Sequence, residues 1–300
     1  MTFECQFAKM GTVNMFLTQR QEKLLNILID RYIKTAEPVS SKALVISRFF
    51  DLSSATIRNE MNDLEQMGYL AQLHTSGGRV PTDRAYRFYV DNLIGSDDFN
   101  INSSWQKKVD SVLASISNDP RDINKTVAQL LSDLSENIVI TGISEQDDFY
   151  KTGLAGLFEL PEFREINKVF RLTSFFDEFD RVFDQIETEF FGPQDTSPVR
   201  SLTRAIGASP EDLQGEGSHR GTSVGIASGE ATSNGINIFI GHENRHPSIR
   251  DETVMTVRYN LPRHLTGSLT LIGPTRMDYR KNIGLVRYTT DKINNLTRKI

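Results

Sequence analysis

From Thr18 to Pro81 the chain sets out three amphipathic helical patterns followed by one hairpin pattern, an order that few folds accommodate in so short a length. Thr18 and Gln21 form a capping-box pair, after which Leu24, Leu25, Leu28, Ile29, Tyr32 and Ile33 recur at helical spacing up to Thr35. Glu37-Pro38 breaks this helix, because proline lacks the amide donor and restrains the residue before it. Ser40 offers a cap for a second helix through Ala43, Leu44 and Ile46, and Asp51-Leu52-Ser53 supplies a turn before a third. The third helix runs to Gly68, a residue suited to the left-handed position past a helix end. Tyr69 to His74 reads as a strand, Thr75-Ser76-Gly77-Gly78 as a turn, and Arg79-Val80 as a return strand stopped by Pro81. Residues 18–82 therefore predict one compact unit, preceded by a flexible extension over 1–17.

The third helix separates cleanly into two faces. Ile57, Met61 and Leu64 form an inner stripe, which leaves Ser54, Thr56, Arg58, Asn59 and Asn62 facing outward or sideways. A polar face of this kind also fits a plain solvated surface. Its position after a helix and a turn, however, makes it the second member of a helix-turn-helix. In a major groove Arg58 would fork onto guanine and asparagine would pair with adenine, while Ser53 or Ser54 at the helix start would bind a phosphate. The hairpin supplies a wing carrying His74, Thr75, Ser76 and Arg79, and Gly77 and Gly78 let its tip approach the backbone closely.

Beyond the hairpin, residues 83–102 read as a linking helix and linker, and Ser103 to Ser117 and Asp119 to Glu136 as two further helices. Ile138-Val139-Ile140 reads as a strand. From Pro161 to Phe191 a helical stretch carries Phe163, Phe170, Phe175, Phe176, Phe179, Phe183 and Phe190 at spacings that predict a core face, with any exposed part serving as a dimer face. Residues 192–234 change to Gly, Ser, Thr and Pro and predict a flexible segment. Gly215, Gly217 and Gly221 within it do not make a G-x-G-x-x-G cradle, and no cofactor is expected. Strands follow at Ile236 to Ile240, Val254 to Tyr259 and Leu269 to Ile272, the last two antiparallel across Leu261 to Leu265, with a final helix from about Arg276. The fold class is α+β, with residues 103–300 forming a regulatory and dimerisation domain.

The bulk numbers exclude several classes. No run of about 18 apolar residues occurs and the N-terminal residues lack a signal-peptide pattern, so a cytoplasmic protein without a membrane span is expected. A net charge of -5 argues against nonspecific coating of nucleic acid, although residues 18–94 hold ten Lys and Arg against nine Asp and Glu. The single Cys5 forms no internal disulfide and is given no role. His242, Glu243 and His246 spell H-E-x-x-H, the letters of a zinc-dependent hydrolase. That chemistry needs both imidazoles on one helical face, and Gly241 and Pro247 on either side oppose a helix there. No enzyme is expected, and a charged loop after a strand is the preferred reading.

The strings PVSSKAL, LSSATIRNEMNDLEQMGYL and HTSGGRVPTDRAYRFYVDNL, with GLFELPEF, IFIGHEN and GPTRMDY further on, closely resemble the HrcA family of heat-inducible transcription repressors. The resemblance implies a winged-helix repressor that binds an inverted-repeat operator in double-stranded DNA as a homodimer. It also implies a GAF-like second domain and a GroEL-type chaperonin as co-repressor, with repression lost on heat stress. In IFIGHEN the family pattern includes Glu243 and Asn244 but neither histidine. A different regulon under a small-molecule sensor is the remaining alternative, though no convergent polar cluster supports a ligand.

The chain departs from the family in three places. Only a short stretch separates NIVITG from GLFELPEF, where the family carries an inserted dimerisation domain, so the insert is shortened or missing and the Phe-rich helices are the alternative dimer contact. Residues 192–234 look like an extra insertion. Gly78 and Ala85 stand where the family more often has alanine and glycine.

Overall fold

A computed structural model describes residues 17–46, 52–73, 78–96, 99, 101–144, 146, 148–191, 235–244 and 246–298, with the backbone alone described over 180–191. The chain divides into two units, residues 1–99 with 275–280, and residues 100–274 with 281–300.

In the first unit, helix α1 (Gln19–Thr35) begins at the expected capping box: the Thr18 hydroxyl accepts from the Gln21 amide, and the Gln21 side chain accepts from the Thr18 amide. Its stripe Leu24, Leu25, Leu28 and Ile29 is buried. Helix α2 (Ser41–Ile46) starts where the Ser40 hydroxyl accepts from the Ala43 amide at 3.2 Å. Leu44 enters the core, whereas Ile46, expected on the same apolar stripe, is 80% exposed. A helix of six residues has less than two turns, so it cannot bury both ends of such a stripe. Helix α3 (Ser54–Gln66) is capped by Ser53 and followed by Gly68 at φ +78. Ile57, Met61 and Leu64 are buried as the periodicity predicts.

The hairpin is shorter than expected. Strands β1 (Leu70–Ala71) and β2 (Val80–Pro81) pair antiparallel through Leu70 with Pro81 and Ala71 with Val80. Pro81 thus lies in the strand it was expected to stop. An imino residue is tolerated there because Thr82, its neighbour, donates the ladder bond to Tyr69, and Pro81 sits on an edge strand where its missing amide has no partner to serve. Val39 adds a bridge to Arg79, with the Val39 amide donating to the Arg79 carbonyl at 2.9 Å and the Arg79 amide returning the bond at 2.8 Å. Helix α4 (Asp83–Ser96) buries Ala85, Tyr86, Tyr89, Val90 and Leu93 in this unit. The Tyr89 hydroxyl donates to Asp30 at 2.5 Å, and burial followed by that carboxylate raises its pKa. From residues 275–280, Tyr279 stacks obliquely on Tyr86 and Tyr89, and Arg276 donates to the Ile33 carbonyl at 3.2 Å.

The second unit is α+β. Helices α5 (Ser103–Ala114) and α6 (Pro120–Ser135) are capped by Asn102 and Asp119. A five-stranded antiparallel sheet has the order β4 (Asp148–Thr152), β3 (Ile138–Ile143), β7 (Thr266–Pro274), β6 (Glu252–Asn260), β5 (Asn237–Ile240). Side chains alternate across it. Ile138 and Ile140 of β3 join Val254 and Ile272 on one face, packed against Leu157 of the short helix α7 (Leu154–Leu157). The same cluster takes in Phe163, then Leu172, Phe175, Phe176 and Phe179 of α8 (Ile166–Phe191). On the other face Thr141 donates to the Asn124 carbonyl of α6 at 3.1 Å, and the Tyr259 hydroxyl donates to Asn124 Oδ1. The chain continues into α9 (Tyr279–Thr297), whose Asn294 accepts from the Asn260 amide at 2.7 Å.

The Phe-rich stretch is therefore a core face with one departure. Phe170 is 63% exposed, and Ile166 one turn earlier is 62% exposed. The side chains of Phe183 and Phe190, and residues 192–234, lie outside the described residues.

Candidate nucleic-acid interface

The first turn of α3 is built by hydroxyls. The Ser53 hydroxyl accepts from the Thr56 amide at 3.1 Å and shares a 3.0 Å hydrogen bond with the Thr56 hydroxyl. Ser54 pairs instead with Ser41 across 3.0 Å, which pins the start of α3 to the start of α2. The remaining first-turn amides have no helical acceptor, and they face an end where the helix dipole favours an anion.

Beyond that turn the outward face carries Arg58 and Asn59. Both are exposed and neither bonds to another described residue, so both are available to an external partner. Glu60, the next residue, turns inward and is held by Arg20. Asn62 is half-buried and accepts from Arg79 Nη2 at 2.9 Å. Arg79 Nε also stands 2.8 Å from Glu65 Oε2, an ion pair without the alignment of a good hydrogen bond.

Between α2, α3 and the base of the hairpin lies a polar cleft of about 240 Å³. Ser40, Ser41, Lys42, Arg58, Asn62 and Arg79 line it. Arg58, Asn62 and Arg79 thus share one cleft, while Ser53, Ser54, Thr56 and Asn59 lie at the start of α3 and along it. Of the other residues expected at the interface, His74, Thr75, Ser76 and Gly77 lie outside the described residues. Lys42, which lines the same cleft, was not singled out from the sequence. Its place just inside the start of α2 was the available signal, because the first helix of a helix-turn-helix crosses the phosphate backbone.

The histidine pair of the second unit takes a different form. A short 3-10 turn covers Gly241–Glu243, after which Asn244 is extended at φ -67, ψ 127 and His246 at φ -72, ψ 123. The two imidazoles therefore do not share a helical face, and the geometry that zinc catalysis needs is missing from this loop. Glu243 accepts from the Ile240 amide at 2.9 Å. His246 accepts from the Ser248 amide at 3.3 Å, lies 3.4 Å from Glu178 and packs edge-on against Phe175 at 5.1 Å between centroids. Among the described residues no group of three or more His, Cys, Asp and Glu is placed to hold a metal ion. No helix among them is long and apolar enough to cross a membrane.

A helix-turn-helix followed by a bridged hairpin, with exposed arginine and asparagine on its second helix, defines a winged-helix DNA-binding unit. Residues 16–92 match the model of the winged helix-turn-helix transcription repressor, HrcA DNA-binding, and residues 91–283 match that of the HrcA protein C-terminal domain. The chain belongs to the HrcA family. The heat-inducible transcription repressor HrcA of Thermoanaerobacter pseudethanolicus is 30% identical, covering 95% of this chain and 98% of its own. That of Oceanobacillus iheyensis is 29% identical, covering 93% and 97%. The latter alignment runs over 345 positions against a chain of 300, so that relative carries residues this chain lacks. A crystal structure described only as a hypothetical protein shares the fold, with a TM-score of 0.58, 20% identity, and coverage of 95% of this chain and 99% of its own.

Proposed function

We propose that this chain is a heat-inducible transcription repressor that inserts α3 into the major groove of double-stranded DNA. The observation that carries the reading is the exposed Arg58-Asn59 pair on a helix whose opposite face is fully committed to the core. Arg58 forks onto a guanine edge and Asn59 onto an adenine edge. Ser53, Ser54 and Thr56 meet a phosphate at the helix start, Lys42 meets a neighbouring one, and Asn62 and Arg79 complete the surface toward the wing residues His74, Thr75, Ser76 and Gly77.

The finer reading is a cytoplasmic homodimer on an inverted-repeat operator, kept active by a GroEL-type chaperonin and released when heat fills the chaperonin with unfolded proteins. The family likeness supports it, and so does Ile166 with Phe170, an exposed apolar pair one helical turn apart that suits contact with a second copy. Regulation through folding state needs marginal stability, so that a modest free-energy change moves a large fraction of the repressor.

The test uses the full chain and an inverted-repeat duplex selected by binding from a random-sequence pool, titrated against salt with and without chaperonin. Expected are tight binding at two copies per duplex, a steep salt dependence and a larger active fraction with chaperonin. Equal affinity for selected and scrambled duplexes would remove the repressor reading.

A further inference from the structure

We infer that Arg79 serves DNA recognition as a positioning residue: with Asn62 and Glu65 it fixes the base of the wing against the recognition helix, and it does not itself neutralise a phosphate. The inference rests on the reading of α3 and the hairpin as the DNA-binding surface.

Arg79 is held from two sides. Its backbone exchanges both hydrogen bonds with Val39, and its side chain, 13% exposed, reaches Asn62 at 2.9 Å and Glu65 at 2.8 Å. Asn62 and Glu65 are three positions apart on α3, so one planar guanidinium spans neighbouring sites on the helix surface. Gly78 beside it lies so close to the 38–39 backbone that an added Cβ would stand 2.6 Å from Val39. The wing base is thus clamped to the turn before α2 through its main chain and to α3 through one side chain.

A cation neutralises a phosphate best when no carboxylate already holds its charge. Glu65 supplies the countercharge to Arg79, and withdrawing the guanidinium would leave that carboxylate half-buried beside an incoming polyanion. Arg58 and Lys42, exposed on the same cleft, carry the charge that phosphates and bases meet. Arg79 therefore sets where the wing lands.

The two roles predict opposite signs for Glu65→Ala. A phosphate-binding Arg79 would be freed by this change, and operator affinity would rise. A positioning Arg79 would lose its anchor, and affinity for the selected inverted-repeat duplex falls, by roughly 10-fold. Arg79→Lys keeps the charge but not the two-point fork and falls similarly, with the salt slope unchanged. Both variants keep wild-type affinity for a scrambled duplex and lose hydroxyl-radical protection where the wing lands, at an unchanged circular-dichroism melting temperature. Tighter operator binding by Glu65→Ala, or an unaltered affinity in Arg79→Lys, overturns the inference. Arg58→Ala separates this failure from that of the underlying reading. If Arg58→Ala weakens binding while the other two variants do not, α3 remains the DNA surface and only the positioning role is lost. If none of the three changes operator affinity, the reading of α3 fails with it.

Discussion

Asn244 donates its side-chain amide to the Glu252 carbonyl at 2.7 Å, tying the loop after β5 to the first residue of β6. The same amide lies 3.0 Å from the carbonyls of Gly241 and Ile249, and the residue is 2% exposed. A single side chain therefore satisfies backbone acceptors that water does not reach. Asn244→Ala removes this donor from the Ile249 and Glu252 carbonyls, while Gly241 keeps the Asn244 backbone amide at 3.1 Å, and is expected to cost roughly 2–4 kcal/mol of stability. Urea unfolding of the purified chain measures it, and a loss below about 0.5 kcal/mol contradicts the clamp.

Glu252 itself is a second liability. It is 4% exposed, and burial pushes its pKa up to about 8 from 4.5, with Asp251 and Glu162 adding to the rise and Lys168 and Arg171 opposing it. The folded state thus holds this proton more tightly than the unfolded state. Its contribution to stability is complete below pH 4.5 and is lost as pH rises through about 8. Glu252→Gln is expected to remove that slope and to gain on the order of 3 kcal/mol at pH 7. Thermal melts from pH 5 to pH 8 read the difference. A variant whose melting temperature falls as steeply with pH as the parent's would assign the slope to another group.

Much of this architecture was legible because it is local. Thr18 with Gln21, Ser53 and Asp119 each announce a helix start through a short hydroxyl or carboxylate placed before an apolar stripe, and the structure uses all three as caps. Strand β4 was not legible: Asp148 to Thr152 is half-buried throughout at the sheet edge, so no two-residue alternation betrays it. The engagement of Arg79 with Asn62 and Glu65 is tertiary, joining positions that sequence spacing leaves unrelated. Phe170 fits the aromatic stripe by periodicity, yet faces outward on α8, with 63% of it exposed.

Arg58 tests the recognition helix directly. It is exposed and makes no hydrogen bond to another described residue, so Arg58→Ala removes nothing the fold relies on. Operator binding should weaken by roughly 1–3 kcal/mol, with discrimination relaxed at one base pair and the melting temperature unchanged. Gel-shift titration against single-base operator variants checks both parts. Unchanged affinity and discrimination would take Arg58 out of the groove.

The exposed turn of α8 makes the last prediction. Ile166 and Phe170 project from adjacent turns at 62% and 63% exposure, and the helix behind them is anchored in the core by Leu172, Phe175 and Phe176. A rigid support with an apolar face suits contact with a second copy about a two-fold axis, where each residue is used twice. In the proposed homodimer Phe170→Glu places two carboxylates in that contact and should convert dimer to monomer at micromolar concentration, without loss of helical signal. Because an inverted repeat is bound by two linked half-site readers, operator affinity should fall by more than 10-fold while affinity for an isolated half-site is unaltered. Sedimentation velocity and half-site titration measure the two effects. A dimer that survives Phe170→Glu with Ile166→Glu added would place the contact on another surface of the chain.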